Sequence, residues 1–231
     1  MQEATTAGPG VAGPGVAGPG VAGAGVADPS AGEADPGEDD RATGYRRRLL
    51  DGLAACIARD GYRATTVADV VAHARTSRRT FYQHFPDKEA CFAALLADTT
   101  ANMVRRISAA VDPTAPWDAQ VRQAVEAWIG CVEAAPALVV SWIRDVPALG
   151  PAARRLQHDA MEAFIVMVQE LSGTERWRDL GVEPVSRELA VMLLGGLREL
   201  SATTTESGRR MREVADVAVR ASTALLGPRP R

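Results

Sequence analysis

From Tyr45 onward the 231-residue chain repeats its apolar residues with a period near 3.6, and nowhere does a period-2 alternation persist. That rhythm puts one side of each segment against a core as a helix and argues against half-buried strands. Gly and Pro interrupt it at Gly61, Pro86, Pro113–Pro116, Pro136, Gly150–Pro151, Gly173, Pro184, Gly208 and Gly227, leaving about nine segments of helical length. The fold class read from this is all-α.

Residues 1–40 follow a different rule. Ala7–Val11, Ala12–Val16 and Ala17–Val21 each read A-G-P-G-V, and Ala22–Val26 reads A-G-A-G-V. Gly and Pro at this density hold neither a helix nor a sheet ladder, and the side chains bury too little area to offset the entropy of ordering. The segment is read as an acidic, disordered tail, with seven acids and no base. Residues 41–100 carry ten bases and six acids, so a net charge of only -3 conceals a basic stretch suited to a polyanion. Cys56, Cys91 and Cys131 are odd in number, far apart and set in apolar helical patterns, which fits buried small hydrophobes. No Cys/His spacing resembles a zinc site, and no cofactor is expected. No run approaches a membrane span and the N-terminus has no secretory pattern, so the expected location is the cytoplasm, on the nucleoid, with no membrane partner.

The basic stretch resolves into short helices. Leu49, Leu50, Leu53, Ala54 and Ile57 make the stripe of a first helix over about 45–60, stopped by Gly61. Thr66, with Asp69 three residues on, begins a second. After a break at Arg75–Thr76, Ser77 caps a third that Pro86 ends; Phe81 and Phe85 must face inward, leaving Arg78, Arg79, Tyr82 and Gln83 on other faces. Asp87 caps a long fourth. Two short helices joined by a tight turn, with bases opening the second, have the geometry that enters a DNA major groove of about 12 Å width. Their free N–H groups and dipole also favour phosphate. A plain helical bundle with solvated arginines has the same pattern.

The run Gly61–Ala74 (GYRATTVADVVAHA), followed by Thr76–Phe92 (TSRRTFYQHFPDKEACF), resembles the signature of the TetR/AcrR family of transcriptional regulators. The resemblance is strong over about 45–92 and only architectural beyond. It implies a three-helix helix-turn-helix DNA-binding module (41–92) followed by a helical effector-binding and dimerisation domain (93–231). It further implies that Thr66, Tyr82, His84 and Lys88 meet phosphate, that Arg78, Arg79 and Thr80 open the recognition helix, and that Gln83 meets a base edge or the backbone; Arg46 and Ser77 complete the DNA-binding set. Lys88 is the only lysine beside 25 arginines. The family usually has Gly in the interhelical turn where this chain has Arg75, so either the turn differs or Arg75 accepts a strain of roughly 1–2 kcal/mol.

The remaining chain carries no nucleophile elbow, phosphate loop or dinucleotide fingerprint, so no enzyme is expected. Met103, Trp128, Cys131, Trp142, Met161, Phe164 and Met167, with Arg144 as a polar group, are candidates either for a ligand pocket or for plain core. Leu189, Leu193, Gly196, Leu197 and Leu200 form one late stripe, and Met211, Val214, Ala215, Ala218, Ser222 and Leu225 form another; the two suit a two-fold four-helix interface or an internal core. Gly195–Gly196 within a helix suggests close helix approach. The reading is a homodimeric, ligand-responsive repressor released from a palindromic operator by a small molecule. The alternative is a regulator controlled by a protein partner, or an activator, with no small-molecule effector.

Overall fold

Side-chain caps set the helix boundaries that matter most. The computed structural model describes residues 36–228, and these form ten α-helices: α1 (Pro36–Asp60), α2 (Val67–His73), α3 (Arg78–His84), α4 (Lys88–Ala110), α5 (Trp117–Ala134), α6 (Pro136–Arg144), α7 (Pro151–Ser172), α8 (Glu175–Asp179), α9 (Arg187–Glu206) and α10 (Ala215–Leu226). Short 3-10 turns occupy Val146–Leu149 and Met211–Val214. The first helix begins at Pro36, nine residues before the expected start; proline's fixed φ suits a first helical position, and the apolar stripe that suggested Tyr45 marks only the part that packs. The A-G-P-G-V repeat lies outside the described residues.

Thr66, Ser77 and Asp87 are the N-caps of α2, α3 and α4, accepting from the backbone N–H of Asp69, Thr80 and Ala90. Each satisfies an otherwise orphaned donor. Gly61 follows α1 with φ +80°, the left-handed geometry of a helix stop. Pro136 opens α6, and α5 and α6 meet at 93°.

Two apolar clusters result. Leu49, Leu53, Ile57, Val70, Phe81 and Phe92 centre the first, where α1 packs on α2, α3 and α4. Leu138 of α6 and Val146 just beyond it belong to this same cluster. Val121, Val125, Val132, Ile165, Trp177 and Val219 centre the second, built by α5, α7, α9 and α10. Consecutive residues of α6 therefore serve different cores: Leu138 the first and Val139 the second. Asp145, at the end of α6, accepts from Arg63 Nε at 2.9 Å, a further link to the α1–α2 loop.

Candidate nucleic-acid interface and ligand cavity

Phe81 and Phe85 are buried and fix the rotation of α3. Arg78, Arg79, Tyr82 and Gln83 consequently point to solvent, and Tyr82 is 57% exposed, edge-on to the Phe81 ring at 5.4 Å. Neither Arg78 nor Arg79 has an ion-pair partner among the described residues. His84 is half-buried near Phe85. The three hydroxyls expected here are committed to structure. Thr66 Oγ1 donates to Asp69 Oδ2 at 2.6 Å while Asp69 Oδ2 accepts from the Thr66 N–H at 2.9 Å, a complete capping box. Asp69 is held below the usual carboxylate range by those bonds. Ser77 and Thr80 share a hydroxyl–hydroxyl bond of 2.9 Å.

The turn between α2 and α3 closes with Arg75 N–H to Ala72 O at 3.2 Å and Thr76 N–H to Val71 O at 3.0 Å, the paired bonds of a Schellman ending. Arg75 takes φ +50°, the one positive φ outside glycine among the described residues. The turn therefore does not differ from one that glycine would make, and Arg75 accepts the strain.

Two expected contacts are placed differently. Lys88 turns inward, its Nζ donating to Thr65 O at 2.9 Å and Tyr62 O at 3.1 Å and lying 4.3 Å from the Tyr62 ring centre. Tyr62 stacks on Phe92 with centroids 4.1 Å apart. The ammonium thus ties the loop before α2 to the first turn of α4 rather than projecting freely toward a phosphate. Arg46 lies across α4, 3.5 Å from Asp98 Oδ2 and 5.7 Å from the Phe85 ring centre, at the opposite end of α3 from Arg78.

Behind this module, α4, α5, α6, α7 and α9 enclose a cavity of about 100 Å³. Of the residues singled out in the sequence, Met103, Trp128, Trp142, Met161 and Phe164 line it. A smaller apolar cavity of about 70 Å³ shares Trp128, Phe164, Leu194 and Leu197 with the first and adds Met167. Cys131 and Arg144 line neither. Cys131 is buried in helix packing. Arg144 points outward and clamps Glu199 Oε1 and Glu206 Oε1, both at 2.8 Å, because its position on α6 faces the outer side of α9. Sequence reasoning missed Arg198 and Gln157, which do line the larger cavity. Arg198 falls on the same helical face as Leu194, Leu197 and Ser201, and that spacing was the available signal.

The expected late stripes also divide differently. Leu193, Met211, Val214, Ala218 and Ser222 are buried within this chain, Leu197 walls the cavities, and Leu189 and Leu200 pack on the second core. Of the two stripes, Gly196 and Leu225 are exposed, and Val191 and Met192 on α9 and Val217 on α10 are outward apolar groups that the stripes did not include. A Cβ on Gly195 or Gly196 would meet nothing within 4 Å, so packing inside one chain does not account for this pair. Helix α9 is apolar on more than one face, and periodicity alone does not say which face the chain itself covers.

Residues 49–95 match the family described as bacterial regulatory proteins, tetR family. Over that stretch the chain is similar to the tetR family. The chain is 35% identical over 69 residues to the HTH-type transcriptional repressor AcnR of Corynebacterium glutamicum, a match that takes in 30% of this chain and 37% of that repressor's length. The fold extends further. The fatty acid degradation regulator FadR of Bacillus halodurans superposes with a TM-score of 0.68 at 14% identity, over 85% of this chain and 97% of that one. FadR of Bacillus subtilis, solved with stearoyl-CoA, gives 0.68 at 12% identity over 78% and 99%. The family model describes bacterial regulatory proteins, and the all-α architecture of a helix-turn-helix module followed by a helical domain is that of the superposed regulators. Among the described residues no single helix is long and apolar enough to cross a membrane, and no group of three or more His, Cys, Asp or Glu side chains is placed to hold a metal. The three cysteines are buried; burial pushes the Cys91 thiol up to about 12 and raises Cys56 and Cys131 as well.

Proposed function

We propose that this chain is a ligand-responsive transcriptional repressor that binds a palindromic operator as a homodimer and leaves it when a small molecule fills the cavity behind the DNA-binding module. The observation that carries the DNA half is the α3 face, where two arginines with no ion-pair partner among the described residues stand beside exposed Tyr82 and Gln83 while Phe81 and Phe85 lock the helix from behind. Arg78 and Arg79 read bases or phosphate, Tyr82 and Gln83 contact the backbone or a base edge, and the capped ends of α2 and α3 hold the module in register. The dimer forms through α9 and α10, on the face carrying Met192, Gly196, Val217 and Leu225. Exposed apolar groups of this kind gain most by meeting a second copy of themselves across a two-fold axis.

Support for the effector half comes from α6. Trp142 and Ile143 wall the larger cavity, Trp142 also packs on the first core, and Asp145 holds Arg63 beside α2. A molecule that displaces α6 therefore shifts the seat of the DNA-binding module, and a change in module spacing alters both half-sites together. The Bacillus subtilis FadR structure is a complex with stearoyl-CoA, which supports a small-molecule effector in this fold.

The test is selection of bound duplexes from a random pool, followed by anisotropy titration across a salt series. Enrichment of inverted half-sites about 34–36 Å apart, or a multiple of that, is expected. The log–log salt slope should be about -0.9 per neutralised phosphate. Salt-independent binding, or no enriched inverted motif, overturns the reading.

A further inference from the structure

The larger cavity has one cation in its wall. Arg198 sits on α9 within the apolar face of Leu194 and Leu197 and is half-buried. Its Nε is fully buried and has no protein hydrogen-bond partner, the one such side-chain atom among the described residues. Its remaining bond is long, 3.4 Å from Nη2 to Ile143 O. Neighbouring Glu199 forms no hydrogen bond with it and is held instead by Arg144 on the outer side of α9. Desolvation accordingly lowers the Arg198 pKa from its ordinary value, with Arg144 adding in the same direction and Glu199 opposing. A cation taken out of water without a counter-ion is unfavourable, and an apolar residue of similar volume would usually stabilise such a site. Positions that break this rule are expected where a ligand completes them.

The rest of the wall has the matching asymmetry. Gln157, Thr99 and Ser201 share the cavity with Arg198, each using its donor on a main-chain oxygen, Trp142 O, Leu95 O and Leu197 O. Beyond Trp128 and Phe164, the second cavity offers no free polar group: the Gln120 amide is occupied by Trp177 Nε1 and Ala115 O, and Ser172 and Ser222 bond their own helices. One end thus presents an unsatisfied guanidinium and the other only hydrocarbon.

We infer that the cavity takes an anionic amphipath, with a carboxylate on the Arg198 guanidinium and an apolar body running past Trp128 and Phe164. This rests on the effector reading above, and adds the charge and shape of the effector to it. A bidentate Arg–carboxylate pair needs two parallel N–H groups, which Nε and one terminal nitrogen of Arg198 supply.

The test uses the full chain with sodium octanoate and 1-octanol, followed by quenching of Trp128 and Trp142 fluorescence, in wild type, Arg198→Met and Arg198→Lys. Octanoate is expected to bind about tenfold or more tightly than 1-octanol to the wild type, a difference of the size that one charge-assisted pair confers. Arg198→Met should abolish the preference while leaving 1-octanol unchanged, and Arg198→Lys should keep part of it. Without ligand, Arg198→Met should raise the unfolding midpoint by about 2–4 °C, since it removes an uncompensated charge. Equal binding of the two probes, no binding of either at millimolar concentration, or a midpoint lowered by Arg198→Met overturns the proposal. Operator release is scored separately. If octanoate binds through Arg198 without loosening DNA, the anchor stands and the effector reading falls; if 1-octanol binds as well and releases DNA, the reverse holds.

Discussion

Substituting Lys88 by Met separates an architectural role from a phosphate contact. The change keeps the aliphatic stem over the Tyr62 ring but removes the two bonds from Nζ, at 2.9 and 3.1 Å, to Thr65 O and Tyr62 O. A hydrogen bond to a charged donor contributes about 1.5–3 kcal/mol when the acceptor is dry, and less where water can replace it. Lys88 is half-buried, so the pair together is worth about 2–3 kcal/mol. For a domain of this size each kcal/mol shifts the midpoint by about 2–4 °C, which gives a fall of about 4–12 °C by calorimetry. The Thr66 cap sits at the end of the released loop, so operator affinity should fall too, with the salt slope preserved. A Lys88→Met protein that melts within about 1 °C of wild type, yet loses about 0.9 from its salt slope, would refute the inward role and make Lys88 a phosphate ligand.

Arg75→Gly should raise stability by about 1 kcal/mol by relieving the left-handed backbone, measured as denaturant midpoint at unchanged slope; an unchanged or lower midpoint would mean that the turn holds no strain. Met192→Glu and Gly196→Glu should give folded monomers by light scattering with weakened operator binding, whereas Leu193→Glu, at 7% exposure, should fail to fold. Folded dimers from the first two would move the interface elsewhere. Thiol reagents should leave the native protein unmodified at pH 8, because a Cys91 pKa of about 12 leaves about one thiolate in ten thousand there, and modification should follow unfolding only. Rapid labelling of native protein would show a thiol more open than its packing implies.

What the residues announced in advance was local. The caps at Thr66, Ser77 and Asp87, the stop at Gly61 and the inward pair Phe81–Phe85 each depend on neighbours within four positions, and each is found as read. What was not legible depends on partners far along the chain. Lys88 finds carbonyls 23 and 26 residues away, and Arg144 finds glutamates 55 and 62 residues away. Arg198 shares the face of Leu194, Leu197 and Ser201, but that this face lines a cavity depends on α4, α5, α6 and α7, far away in sequence. The stripe from Leu189 to Leu200 mixes residues that the chain itself covers, such as Leu193, with exposed Gly196, since a helix with two apolar faces is read equally well from either.

The seating of Leu138 and Val146 in the first core bears on how far the DNA-binding module is portable. The family match ends at residue 95, but the module's floor is completed by residues more than forty positions later. A chimaera cut just after α4 would leave Leu95 and Leu96 facing either water or a foreign surface never shaped to fit them. The transplantable unit therefore has two pieces, residues 43–96 and the α6 segment through Val146, and grafts that exchange only the first should be prone to aggregate even though every side chain proposed to read bases is intact.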